Sequence, residues 1–353
     1  MKIVQVVSLE ERVPPRKYGG TELVAYNVTQ GLQAKGHDVY LLATGDSKSN
    51  AKLVPIIDKP IREMYSAQEL PGWRDYWKMA SVSKMITQIN AIQPDVIHNH
   101  FAWRMMLFSD LIKFPMISTM HGPLSSKKEC QTYQDFPDLN YISISDNQRK
   151  ALPEVNWLKT VYNGIDVNSY EVKKKPGGEY FLFLGRTSPE KGLKEIIQMI
   201  KKTKHALKIA AKVDEVDQEY FKTHVKPFID NSQIHFLGEV GHAQKAELLK
   251  NAAGLLLWLN WEEPFGLVVA EAMACGTPVI VNPRGSMPEL VVDKKTGFLV
   301  TSLEEMAKAL NQVHTIDPNH CRFRADTFFS VEAMVSGYED AMKTAIEHYK
   351  LKR

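Results

Sequence analysis

The chain has 353 residues, 44% of them apolar and 24% charged, enough for two globular domains, each with its own core. A formal net charge of +3, with no dense Lys/Arg run interleaved with aromatics, argues against a nucleic-acid partner but leaves small anions open. Three scattered cysteines (Cys130, Cys275 and Cys321) lack CxxC spacing, which argues against a disulfide framework or a zinc site and fits a reducing, cytoplasmic compartment.

In chain order, short apolar runs alternate with amphipathic segments. Residues 1–7 read as a strand, not a leader, because the segment turns acidic after eight residues. Residues 21–35 read as a helix, with Leu23, Val24, Val28 and Leu32 near helical spacing. Strands follow at 38–43, 96–99, 116–120 and 141–145, with a helix at 77–91. The pattern restarts after a Lys/Pro/Gly-rich stretch at 171–179. Strands are expected at 180–184, 206–210, 234–237, 254–259 and 278–281, and helices at 193–202, 243–252 and 267–274. A last helix at about 331–350 carries Met334, Tyr338, Met342 and Ile346 on one face, which must bury against something. No apolar run approaches the roughly 20 residues of a membrane span. Peripheral contact with the inner membrane face stays open.

This alternation predicts an α/β protein built from two parallel-sheet domains. The first covers 1–162, with a C-terminal helix of about 335–353 packing back on it. The second covers 163–334.

The most informative stretch runs from Glu262 through Ile280. An apolar strand enters a loop holding Glu263, Pro264 and Gly266, then a helix begins at Leu267. A helix N-terminus offers unpaired N–H groups and partial positive charge, which suits a phosphate. Gly266 lets the backbone approach a ligand. Glu263 at the helix mouth and Glu271 two turns on could hold hydroxyls at two ends of an elongated ligand. An ordinary strand–helix turn with solvated glutamates is the plain alternative.

Gly185-Arg186-Thr187-Ser188-Pro189-Glu190-Lys191-Gly192 directly follows a strand. Arg186 and Lys191 could neutralise a diphosphate there, Arg by forking across two oxygens and Lys as a movable point charge. A solvated basic turn is the alternative. Pro14-Pro15-Arg16-Lys17-Tyr18-Gly19-Gly20-Thr21-Glu22 lies between the first strand and helix and is not a GxGxxG dinucleotide loop. Gly19 and Gly20 would expose N–H groups at a helix start; the plain alternative gives Thr21 the role of helix N-cap, with Glu22 complementing the dipole.

These segments resemble the retaining, GT-B-fold glycosyltransferases of the E-x7-E type, glycosyltransferase family 4 (glycosyl transferases group 1). The resemblance implies two Rossmann-like parallel-sheet domains facing across a cleft. It implies that Glu263 contacts the donor sugar and Glu271 the nucleotide ribose. Backbone N–H groups of Phe265, Gly266 and Leu267 would face sugar and phosphate. Arg186 and Lys191 would form the pyrophosphate clamp, Gly19 and Gly20 would lie near the donor phosphates, and His121 would lie near the transferred sugar. Glu263, His121, Arg186 and Lys191 are thus the expected catalytic set.

The implied reaction moves a hexosyl group with retention from a nucleotide-diphosphate sugar to a small-molecule, glycan or lipid-linked acceptor. UDP-glucose is the first donor to test; ADP-, GDP- and other UDP-sugars stay open. No cofactor and no divalent metal are expected, since no D-x-D carboxylate pair is present. His98 and His100 have metal-like spacing but no third ligand nearby, and read as cleft-lining. Ser145 with Arg149 resembles another cleft element. A GT-B nucleotide-sugar epimerase and a non-catalytic nucleotide-sugar-binding protein are the alternatives. Trp73, Tyr76, Trp77 and Trp103 could stack on an acceptor ring, with ordinary core packing the plainer reading. Two departures from the family pattern, Trp258-Leu259-Asn260-Trp261 and Ala210-Ala211-Lys212-Val213, bear on donor identity.

Overall fold

The computed structural model describes residues 1–351 apart from 17, 18, 67, 68 and 125. Lys17 and Tyr18 of the Gly-Gly loop therefore lie outside the described residues. The chain divides into two compact units, Met1–Gly164 with Val331–Arg353, and Ile165–Ser330.

The first unit carries β1 (Lys2–Val6), β2 (Asp38–Thr44), β3 (Lys52–Ile57), β4 (Val96–Asn99), β5 (Met116–Thr119), β6 (Asn140–Ser143) and β7 (Trp157–Thr160). They form one parallel sheet in the order β3-β2-β1-β4-β5-β6-β7. The second unit carries β8 (Tyr180–Arg186), β9 (Leu207–Lys212), β10 (Ile234–Gly238), β11 (Ala252–Leu257), β12 (Val279–Val281) and β13 (Gly297–Leu299). Its parallel order is β10-β9-β8-β11-β12-β13. Both orders reverse beside their first strand, as in doubly wound nucleotide-binding sheets.

The central strands β4, β5, β11 and β12 are buried along their whole length, because helices cover both faces of a parallel sheet. The covering helices present apolar stripes. In Leu193–Ile200, Leu193, Ile196, Ile197 and Ile200 are buried at the i, i+3, i+4, i+7 spacing. The helix Val331–Leu351 buries Met334, Tyr338, Met342 and Ala345. It packs on the first unit, against the helix Gly20–Ala34 and against β5 and β7.

Several elements are not legible in the sequence. β3 is an edge strand interrupted by Pro55, where a missing N–H is tolerated. β7 and β13 are short edge strands, and the helices Leu303–Leu310 and Pro318–Phe328 follow loops of mixed polarity. The aromatic expectation needs correction. Trp73 and Tyr76 are 45% and 57% exposed on the helix Leu70–Ile92, and Trp73 stacks on Tyr65 at 5.4 Å instead of entering the core. Trp77 and Trp103 do pack against buried clusters.

Candidate active site

In the second unit the strand order reverses between the adjacent strands β8 and β11. Loops leaving the carboxyl ends of strands at such a point form the usual ligand crevice of an open α/β sheet. Arg186 ends β8, and the loop after it carries Glu190 and Lys191. The loop after β11 carries Trp261 and Glu263 and runs into the helix Leu267–Ala274.

These loops are fixed to each other. Gly192 has φ +66° and sits against the Trp258 carbonyl, where a Cβ would not fit. Asn260 N–H donates to the Glu190 carbonyl at 2.9 Å, and its side-chain amide donates to the Pro189 carbonyl at 3.0 Å. Asn282, after β12, both accepts from Leu259 N–H (2.7 Å) and donates to the Leu259 carbonyl (2.8 Å). Ser286 N–H donates to the Glu263 carbonyl (2.9 Å), and Ser286 Oγ donates to the Phe265 carbonyl (2.7 Å). Three loops are thus tied into one rigid edge.

On that edge the Lys191 ammonium pairs directly with the Glu263 carboxylate. Trp261 supports both partners. Its indole N–H donates to Glu263 Oε2 at 3.1 Å, and Lys191 Nζ stands 4.6 Å from its ring centroid. Arg186 is held by Glu190 at 2.7 Å and more loosely by Asp214 at 3.7 Å, while its Nε is buried without a partner among the described residues. Such a partly satisfied guanidinium retains donors for an incoming anion. Gly266 caps the helix Leu267–Ala274 without a side-chain bond, and Val269 N–H donates to the Gly266 carbonyl at 3.0 Å, so the Leu267 and Val268 N–H groups keep their capacity to bind an anion.

Glu271 is nearly fully buried. Its Oε1 accepts from Tyr170 OH at 3.0 Å and pairs with the Lys245 ammonium. Burial and the neighbouring carboxylate push the Tyr170 phenol far up, so it stays a neutral donor. Phe265 has a fully buried ring packed edge-on against Phe329.

In the first unit, β1, β4 and β5 direct their loops to one groove of about 940 Å³, lined by Ser8, Glu22, His100, Trp103, His121 and Tyr133 among others. Gln148 fixes the His121 loop by donating to the carbonyls of Met120 (3.0 Å) and Gly122 (2.8 Å). His121 Nε2 meets His100 Nδ1 at 2.7 Å, and His98 Nε2 meets Thr119 Oγ1 at 2.8 Å. Burial lowers the basicity of all three histidines, that of His121 to about 4, so they are neutral near pH 7. Burial raises the Glu22 carboxyl despite its hydrogen bond with Ser8.

The sequence expectations thus divide. Arg186, Lys191, Glu263, Phe265, Gly266, Leu267 and Glu271 all lie in the second unit, with Lys191 and Glu263 in direct contact. Gly19, Gly20 and His121 lie in the first. Thr21 is not the N-cap: Gly19 occupies that position, with no side-chain bond, and Thr21 falls within the first turn. His98 is wholly buried and does not line the groove, whereas His100 does. Ser145 caps the short helix Asp146–Arg149, and Arg149 Nε donates to Ser143 Oγ at 2.9 Å. Sequence reasoning misses Asn260, Trp261, Asn282, Ser286 and Gln148. Asn260 and Trp261 are visible in it only as a departure from the family pattern.

Among the described residues no group of three or more His, Cys, Asp or Glu side chains could hold a metal ion. No helix among them is long and apolar enough to cross a membrane.

Residues 166–326 match the family model described as glycosyl transferases group 1, and residues 18–169 match glycosyltransferase family 4. The glycogen synthase of Mycobacterium tuberculosis is 24% identical over 83% of this chain and 81% of its own length. The N-acetyl-alpha-D-glucosaminyl L-malate synthase of Bacillus anthracis is 25% identical over 91% of this chain and 93% of its own. Among solved structures, the sucrose-phosphate synthase of Thermosynechococcus elongatus superposes with a TM-score of 0.81 at 17% identity, covering 99% of this chain and 100% of that one. Anabaena HepE in complex with UDP-glucose gives 0.73 at 18% identity, covering 98% and 100%. These likenesses establish a GT-B fold.

Proposed function

Because this chain belongs to the GT-B glycosyltransferases of family 4, group 1, we propose that it is a retaining, metal-independent hexosyltransferase whose donor is UDP-glucose. Support for the donor comes from HepE, whose structure holds UDP-glucose. The observation that carries the proposal is the Lys191–Glu263 pair on an edge braced by Gly192, Asn260, Asn282 and Ser286.

In this reading Arg186, Lys191 and the N–H groups of Phe265, Gly266 and Leu267 receive the diphosphate. Glu263 accepts from hydroxyls of the sugar, and Glu271 from the ribose. Gly19 and Gly20 approach the phosphates, His121 contacts the sugar, and the acceptor occupies the groove of the first unit. As the bond from the anomeric carbon to the phosphate oxygen breaks, electrons pass to the diphosphate and the sugar becomes oxocarbenium-like. Preorganised cations gain most where that negative charge develops. They perform the charge neutralisation that a divalent ion supplies in D-x-D enzymes. The acceptor hydroxyl bonds to the same face of the carbon, and its proton passes to the departing phosphate.

The test is turnover of UDP-, ADP- and GDP-hexoses against a panel of glycan, small-molecule and lipid-linked acceptors, with a donor-only arm. Acceptor-dependent release of UDP from UDP-glucose is expected. Conversion of donor without any acceptor would point to an epimerase, and binding without turnover to a sensor.

A further inference from the structure

Behind His121 stands a buried chain of hydrogen bonds. His121 Nε2 lies 2.7 Å from His100 Nδ1, and His100 Nε2 lies 3.0 Å from the amide oxygen of Gln5. Gln5 is wholly buried next to the carboxyl end of β1, and His100 follows β4. A neutral imidazole has one N–H and one lone pair, and an amide oxygen only accepts. Gln5 Oε1 therefore requires the His100 proton on Nε2. His100 Nδ1 is left as a lone pair, which requires the His121 proton on Nε2. His121 Nδ1 then offers a lone pair, and it has no hydrogen-bond partner among the described residues.

We propose that Gln5 and His100 are positioning residues, a two-link relay that locks His121 as a hydrogen-bond acceptor toward a hydroxyl of the transferred hexose. This rests on the reading of His121 as facing the sugar. The direction of the relay is set at its inner end by an amide that never titrates. Facing the pair are His98 on β4, 3.9 Å from His100 between ring centroids, and Tyr338 from the C-terminal helix at 6.4 Å. Glu22, on the helix after β1, lines the same groove. None of these groups is hydrogen-bonded to His100 or His121 among the described residues.

The substitution Gln5→Glu makes the inner end titratable with almost no change of shape. A proton held on the introduced carboxyl leaves its C=O accepting from His100 Nε2–H as the amide does, whereas when the added proton sits on His100 the imidazolium donates from both nitrogens and His100 Nδ1 becomes a donor. His121 Nε2 must then accept, so its proton moves to Nδ1 and the Nδ1 lone pair is lost. With the carboxylate ionised and His100 neutral, the wild-type arrangement returns.

The full-length protein with ¹⁵N-histidine, assigned by comparison with His100→Gln and His121→Gln, reads the tautomers directly by long-range ¹H–¹⁵N NMR. Wild type is expected to show Nε2–H on both His100 and His121 at pH 7.5. Gln5→Glu is expected to lose kcat by about tenfold over the pH range in which the ¹⁵N spectra show His100 doubly protonated, with KM nearly unchanged, while wild type changes by less than about twofold. Gln5→Met, which removes the acceptor, should give mixed tautomers on both rings at every pH. An Nδ1–H tautomer of His121 in the wild type overturns the relay, as does a folded Gln5→Glu variant in which His100 gains a proton while His121 keeps its proton on Nε2. The NMR result needs no substrate. Correct tautomers with no hexosyl transfer would therefore count against the proposed function and not against the relay.

Discussion

A Cβ added to Gly192 would stand 1.7 Å from the carbonyl oxygen of Trp258. The two residues belong to different loops, after β8 and after β11, and their contact sets how closely those loops approach. Lys191 is the residue before Gly192, so the same contact places its ammonium beside Glu263. The φ of +66° adds a backbone cost for any other residue. Gly192→Ala is expected to destabilise the second unit by about 3 kcal/mol or more and to reduce turnover beyond what partial unfolding explains. Denaturant melts and kcat at a temperature where the variant is folded check both parts.

Lys191→Ala and Arg186→Ala should each lower kcat by about 10²- to 10³-fold, the range seen when one preorganised stabiliser of developing charge is removed. Both side chains lie on an edge held by backbone contacts, so circular dichroism should stay unchanged. Near-normal rates in both variants would remove the clamp assignment. Glu263→Gln should lose comparable activity yet keep UDP affinity within about threefold in calorimetry, because its proposed partner is the sugar.

Glu271→Gln should show the opposite division. The neutral amide no longer matches the Lys245 ammonium or accepts as strongly from the proposed ribose hydroxyl. UDP affinity is expected to fall about tenfold or more, with a smaller effect on the rate at saturating donor. Titration calorimetry of this variant beside Glu263→Gln separates the two carboxylates. Equal UDP affinities in the two would show that they do not have separate roles.

Stability of the first unit should depend on pH through its buried histidines. An unfolded histidine takes up a proton near pH 6.5, whereas native His121 does so only near 4. Between those values the unfolded state binds more protons, so stability rises with pH. The contribution is fully present above about pH 6.5 and is lost as pH falls toward 4, at about 3 kcal/mol for His121. His98 and His100 add in the same direction. Glu22, raised by burial, acts oppositely: it favours the folded state at low pH, and that contribution is lost as pH rises through its native value. One carboxyl opposes three imidazoles. Urea melts at pH 7.5, 6.0 and 5.0 should show a falling midpoint, and a flat profile would contradict the neutral buried cluster.

Chelation bears on the proposal that fixed cations replace a divalent ion. Excess EDTA should leave kcat with UDP-glucose within about twofold of its value in added Mg²⁺. A loss restored by Mg²⁺ or Mn²⁺ would refute the metal-independent reading.

Residue order alone dictates the alternating strand–helix pattern, because burial on both faces leaves continuous apolar runs in parallel strands such as β11. It also marks Gly192, Arg186, Lys191, Glu263 and Glu271, since glycines and charges beside apolar strand ends are local patterns. Which of these groups meet is a matter of folding in three dimensions. Lys191 and Glu263 are 72 positions apart in the chain, and no local periodicity encodes their contact. It follows from the placement of β8 beside β11 and from backbone ties through Asn260, Asn282 and Ser286. The tautomer chain from Gln5 through His100 to His121 is hidden for the same reason. Each link lies on or just after a different strand, and a hydrogen bond's direction depends on which atom faces which, a spatial property that residue order does not record.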